Sequence, residues 1–461
     1  MTVKTRWILG GAAVALLLGG GAAALRARRR PSTLGLPREP SLDSSLALLR
    51  EGHTFIPRRC EALGTDVFET RLMLRRVICA RGEEAARMFY APGRFTRRRS
   101  MPPTTLRLLQ DVGSVALLDG EAHHARKTLF MSLVTPERVR SLAERMEHEW
   151  RASLPRWERM DAVVLHEEVQ EILCRAVCDW AGIPLPEASV RERTRELGAM
   201  IEGAGSVVGL QAIRGLLLRR RTERWARNLI QGIRAGVVPA PAGSPAFAIA
   251  FYSEPDGRQL PARVAAVELI NLLRPTVAVA RFIVFAAMAM HQYPACARRL
   301  AIRDEGYLLR FVQEVRRFYP FFPAVGGRAL EAFEWRGIHF PKDTWVLFDL
   351  HGTDHDPRTW ANPDTFDPDR FAMHTPNAFD LVPQGGGEHF TGHRCPGETI
   401  TVELVKEAVR LLTTAMRYVV PEQDLRIVPG QLPPIPLSRF VIRGVNHSFV
   451  PSVVPELRAG A

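Results

Sequence analysis

Cysteine is scarce, with six in 461 residues and no Cys-x-x-Cys pair, so neither a disulfide framework nor a paired-thiol site is expected. Cys60, Cys79 and Cys296 stand alone. Cys174 and Cys178 share a helix face without nearby partners, so these five read as core residues. No internal linker rich in Pro, Gly or Ser divides the chain, and no internal repeat is visible. With 46% apolar and 24% charged residues, a large core is available and disorder is excluded. The formal charge of +13 would fit a nucleic-acid binder, but no basic stripe interleaved with aromatics exists. The excess is concentrated at one end. Residues 1–38 hold Lys4, Arg6, Arg26, Arg28, Arg29, Arg30 and Arg38 and no acid.

Trp7 to Leu25 is an uncharged run of nineteen residues, long enough to cross a bilayer core as a helix. The Arg cluster at 26–30 outweighs Lys4 and Arg6 on the other flank, which favours an uncleaved anchor with the large domain in the cytoplasm. The rival is a secretory signal, with Ala22-Ala23-Ala24 offering small residues for cleavage and the protein exported. Residues 1–30 are accordingly assigned as a hydrophobic membrane anchor with a basic flank, and 31–461 as one large domain.

Past the anchor, Val67–Arg71 and Leu72–Cys79 alternate like strands. From about residue 83 to 235 apolar residues recur with helical spacing, as in Val163–Trp180. Arg263–His291 is one long apolar helix candidate, and a shorter helix runs from Tyr307 to Tyr319 and stops at Pro320. Short strands are expected at Trp335–Phe340 and Trp345–Asp349, and a last helix over Gly397–Met416. The fold class is mainly α with a small β region.

Only Cys395 has unusual surroundings. Gly385-Gly386-Gly387 and then His393-Arg394-Cys395-Pro396-Gly397-Glu398 form a glycine-rich loop that delivers a cysteine to the start of a helix. Backbone N–H groups there stabilise a thiolate, which a haem iron needs on its proximal side. Some eighty residues earlier, Glu314 and Arg317 place opposite charges three apart on one helix face. Arg370, in Phe366-Asp-Pro-Asp-Arg370-Phe371, is positioned to complete a Glu–Arg–Arg network.

In order and spacing these three segments resemble the helix ExxR, the PERF-like segment and the cysteine loop of the cytochrome P-450 superfamily. The resemblance covers essentially everything after the anchor and implies a P-450 fold binding haem b. It makes Cys395 the proximal iron ligand, with Glu314, Arg317 and Arg370 structural. His393 matches the residue that meets a haem propionate, and His123 and Lys127 match the propionate-binding pair of an earlier helix. Arg328, five residues after Pro323, is a further candidate propionate contact. One departure is Glu388, seven residues before the cysteine, where the superfamily has Phe; Phe390 is displaced from that place.

The long helix departs further. Oxygen-activating members carry an acid followed by Thr at its middle, whereas this chain has Asn271-Leu-Leu-Arg274-Pro275-Thr276-Val-Ala. Pro275 removes a backbone donor and frees the Asn271 carbonyl, so a kink is expected there. A buried Arg274 is costly unless an anion meets it, either an internal Asp or Glu or the carboxylate of a substrate. The Arg274-Pro275 pair resembles the bacterial fatty-acid peroxygenase family of the superfamily. So do Asp119-Gly120 with His123, Arg126 and Lys127, and the segment Val312–Arg317. That resemblance implies hydrogen peroxide as oxidant, no obligatory reductase, and a long-chain fatty acid whose carboxylate, held by Arg274, supplies the missing acid–base group. Family products are α- or β-hydroxy acids, or terminal alkenes by decarboxylation. Ala116 stands where members often carry Gln or His, which favours hydroxylation. The competing readings are a reductase-fed monooxygenase using Thr276 and a non-enzymatic haem or lipid carrier at a membrane.

Overall fold

The computed structural model describes residues 34–205 and 210–447, so the expected anchor at Trp7–Leu25 lies outside the described residues. The fold is mainly helical with little sheet. The strands are β1 (Val67–Leu72), β2 (Arg75–Ala80), β3 (Phe95–Thr96), β4 (Val163–Val164), β5 (Ala324–Ala329), β6 (Phe333–Trp335), β7 (Ile338–Phe340), β8 (Trp345–Asp349), β9 (Arg417–Val419) and β10 (Val441–Asn446). Five of them form the largest sheet in the order β1-β2-β8-β5-β3. Its two faces follow from the period of two along each strand. Val67, Ile78 and Val346 pack on one side with Phe89, while Phe68, Val77 and Leu347 pack on the other with Phe55.

Strand limits move where turns intervene. Leu72–Cys79 is not one strand, because Met73 and Leu74 take positive φ and close the β1–β2 hairpin. Trp335–Phe340 is split likewise by Arg336 and Gly337 at φ 53° and 71°. Val163-Val164 belongs to a strand rather than to the following helix, Leu165–Ala181, because β10 captures it from the far end of the chain.

The main core is helical and gathers around Ala262–Ala278 and Ala280–Gln292. Together these make a 31-residue apolar stretch whose most apolar 18-residue window is 94% buried, a core helix rather than a membrane span. An all-round apolar helix must sit at the centre of a domain. The interruption falls at Val279, not at Asn271. The Val279 N–H donates to Thr276, three residues back, so one tighter turn separates the two segments one turn beyond Pro275. Around this pair pack Leu165–Ala181, Leu210–Arg234, Glu305–Phe318 and Glu398–Thr414. Asp304 starts the third of these by accepting from the Gly306 and Tyr307 N–H groups, at 2.8 and 3.1 Å.

Candidate active site

The cysteine loop lies against Tyr90. Gly385 and Gly387 have φ of +92° and +80°, and a Cβ on Gly387 would come within 2.8 Å of Tyr90 Cβ. Only glycine allows that approach. The Cys395 N–H donates to the Gln384 carbonyl at 3.2 Å, and the Gln384 amide nitrogen lies 3.9 Å from Sγ. Burial pushes the Cys395 thiol up, while the Gly397 N–H and the Lys127 ammonium pull it down. The rebuilt part of the loop is held locally. Exposed Glu388 accepts from the Phe390 N–H at 3.0 Å, Phe390 points outward, and His389 Nε2 donates to the Cys395 carbonyl at 3.0 Å.

Beside the loop stand four basic side chains. The His123 and His393 rings stack with centroids 3.9 Å apart, and Lys127 Nζ donates to the Arg394 carbonyl. Arg97 is buried, donates to the Gly326 carbonyl at 2.8 Å, and lies over the rings of Phe89 and Tyr90. Burial, then repulsion from Lys127, pushes His123 down to about 4, and burial pushes Lys127 down to about 8 against the pull of Cys395. None of the four has an ion pair among the described residues. A buried basic cluster without acids, next to a cysteine with an N–H at its sulfur, fits the two propionates and the iron of haem. Cys395 would ligate the metal, and His123, Lys127, His393 and Arg97 would meet the carboxylates.

Arg328 is not part of this cluster. Its guanidinium donates to the Arg99 and Asp343 carbonyls at 3.0 and 3.1 Å, and lies over Trp345, because β5 pairs it between β3 and β8. Arg97 takes the place expected of it. In the sequence Arg97 is the first of three arginines in a row, with nothing to separate it from surface charge.

The proximal scaffold is an ion-pair network. Glu314 receives Arg317 at 2.7 and 2.8 Å, Arg370 at 3.1 Å and the Asp367 N–H at 2.8 Å, with Glu314 and Arg317 fully buried. Arg316, which the sequence did not single out, pairs with Glu398 at 2.5 Å, and Arg394 grips the same carboxylate at 2.6 Å. Despite the opposing effect of burial, Arg316 and Arg394 together hold Glu398 down at about 2. The helix carrying Glu314 thus fixes both the coil before the cysteine loop and the helix after it.

On the long helix Arg274 is 6% exposed and donates to the Leu108 carbonyl at 2.9 Å. Burial, then repulsion from Arg219, pushes it down to about 9, which leaves it cationic at neutral pH. It has no acidic partner among the described residues. The candidates are used elsewhere: Glu268, one and a half turns earlier, pairs with Arg126 at 2.7 Å, and Asp111 faces Arg219 at 3.6 Å. Glu268 also accepts from the Val115 N–H at 2.7 Å, which fixes the turn carrying Ala116. Pro275 follows within the same helix, and the Thr276 hydroxyl is turned back to the Leu272 carbonyl at 2.9 Å.

Comparison with known proteins identifies the family. The Cytochrome P-450 family profile matches residues 302–406, the stretch that holds Glu314, Arg317, Arg370 and Cys395. Cytochrome P450SP alpha (CYP152B1), solved in complex with (R)-ibuprophen, is 46% identical, with 88% of this chain and 100% of that one covered and a TM-score of 0.86. Cytochrome P450EX alpha (CYP152N1), solved with myristic acid, is 38% identical over 89% and 99% of the two chains, also with a TM-score of 0.86. A variant of cytochrome P-450 OleT in complex with arachidonic acid is 31% identical over 90% and 100%, with a TM-score of 0.87. The chain belongs to the cytochrome P-450 superfamily, alongside the CYP152 proteins that match 88–90% of it, and is a haem-dependent oxidoreductase.

Proposed function

We propose that this enzyme uses hydrogen peroxide to hydroxylate long-chain fatty acids at the α or β carbon, with Arg274 holding the carboxylate. The observation that carries this is the buried Arg274 guanidinium with no acidic partner among the described residues. A planar fork of donors inside an apolar helix is suited to a carboxylate, and two of the similar structures contain a long-chain fatty acid. Haem, when bound through Cys395, supplies the oxidising chemistry. Arg274 fixes the acid end, so the carbons next to the carboxylate are the ones presented. The bound carboxylate supplies the acid–base group that Asn271–Ala278 lacks, since a guanidinium does not relay protons. Ala116 has no side-chain donor, which removes one support for decarboxylation to an alkene. Thr276, tied to its own helix, gives the reductase-fed reading no relay group.

Purified protein given tetradecanoic acid and hydrogen peroxide, without reductase, is expected to yield 2- or 3-hydroxy acids by mass spectrometry. Turnover that requires a reductase and a nicotinamide cofactor would establish the monooxygenase reading instead, and a terminal alkene as main product would establish decarboxylation.

We also propose that residues 7–25 anchor the enzyme in a membrane with the catalytic domain on the cytoplasmic side. The support is the uncharged nineteen-residue run and the Arg cluster that follows it. Deleting residues 1–30 is expected to move the protein from the membrane to the soluble fraction with haem content unchanged. An N-terminus found cleaved near residue 24 would favour export.

A further inference from the structure

Leu108, in the last turn of the helix Pro103–Leu109, is held from two directions. Its side chain is fully buried, and a Cβ on Gly203 or on Gly215 would lie 3.2 or 3.3 Å from its methyl carbons. Two helices, Glu187–Ala204 and Leu210–Arg234, therefore close on it through glycine. Its carbonyl, left without a helical partner at the helix end, accepts from two guanidinium groups, Arg274 at 2.9 Å and Arg219 at 3.0 Å. A carbonyl oxygen has two lone pairs, so it can serve both.

The two arginines differ in what else they meet. Arg219, 1% exposed, also donates to Glu223 at 2.8 Å and faces Asp111 at 3.6 Å. Burial and the neighbouring Asp111 push the Glu223 carboxyl up. The charge on Arg219 is met by these two acids, while Arg274 has only the Leu108 carbonyl.

We propose that Arg219 is a positioning residue for the carboxylate site: it keeps the Leu108 carbonyl satisfied when a substrate carboxylate draws Arg274 away. This rests on the reading that Arg274 binds the substrate carboxylate. In the resting enzyme the carbonyl stands in for that carboxylate, and substrate entry exchanges one acceptor for the other. Without Arg219 the exchange would strand a buried carbonyl and leave the Asp111–Glu223 pair uncompensated beside the incoming anion. Both effects oppose carboxylate binding, and neither touches the iron side of the site.

The test is Arg219→Met in the holoenzyme. The dissociation constant for tetradecanoic acid, read from the haem spin-state shift, and KM are expected to rise about tenfold or more. At saturation kcat should stay within about twofold of wild type, because bound substrate is held by Arg274 in either case. Binding of imidazole, which reports access to the iron without a carboxylate, should be unchanged. Arg219→Lys keeps the charge with less reach and should fall between the two; it also covers the case in which the Met variant does not fold. A wild-type dissociation constant in the Lys and Met variants, or equal losses for tetradecanoic acid and imidazole, overturns the proposal. Arg274→Ala is run alongside: if it too binds tetradecanoic acid normally, the carboxylate reading itself has failed, whereas an effect there but not at Arg219 sinks this inference alone.

Discussion

Arg274→Ala is expected to abolish fatty-acid oxidation while leaving haem content intact. The residue lies in the core helix Ala262–Ala278 and donates to the Leu108 carbonyl, so its loss removes no hydrogen bond to Cys395 or the basic cluster beside it among the described residues. Truncating one partner of a desolvated charge pair costs about 2–5 kcal/mol, which alone weakens substrate binding by at least tenfold. The loss in turnover should exceed the loss in binding, because the same carboxylate is proposed to provide the acid–base function at the reacting centre. Arg274→Lys should recover little. A lysine ammonium is a point charge and lacks the fork that takes both oxygens of a carboxylate. A complementary measurement uses wild-type enzyme with a short carboxylic acid and a neutral molecule such as styrene. The small acid should occupy the place beside Arg274 and switch on peroxide-driven oxidation of the neutral partner. Wild-type fatty-acid turnover in Arg274→Ala would put the reductase-fed reading ahead.

The second large effect is at the iron. Cys395→Ala should eliminate the long-wavelength Soret band of the reduced carbon monoxide complex, since that band reports a thiolate opposite the gas. The other five cysteines cannot substitute. Cys60, Cys79, Cys174 and Cys178 are buried, and none of the five lies in the loop that places an N–H at the sulfur. Cys395→Ser tests the same point more gently, because the hydroxyl keeps the shape of the site without the soft ligand. Retention of the band in either variant would mean that another residue ligates the iron.

Much of this protein was legible one element at a time. The apolar pattern of Arg263–His291 marks a core helix, the glycine-flanked Cys395 marks a thiolate ligand, and Glu314 with Arg317 announces a pair on one helix face. All three rest on neighbours within one helix or one loop, where spacing fixes geometry. Element limits were lost where a distant strand or a tight turn intervened, as β10 did for Val163-Val164 and the Met73-Leu74 turn did for β2.

What the sequence determined is the superfamily fold, the glycine-rich loop that presents Cys395 and the presence of a buried arginine where the long helix usually carries an acid. What the tertiary structure decided is who meets whom. Arg97 rather than Arg328 joins the basic cluster because its partner, the Gly326 carbonyl, comes from 229 residues further along the chain. Arg274 has no internal counter-ion because Glu268 is turned to Arg126, 142 residues away, and its resting acceptor is a carbonyl 166 residues away. Charge and spacing along a chain state that a buried cation needs a partner. Which acid or carbonyl supplies it depends on long-range packing, where contacts are set by the closure of whole helices on one another and leave no periodic trace in the sequence.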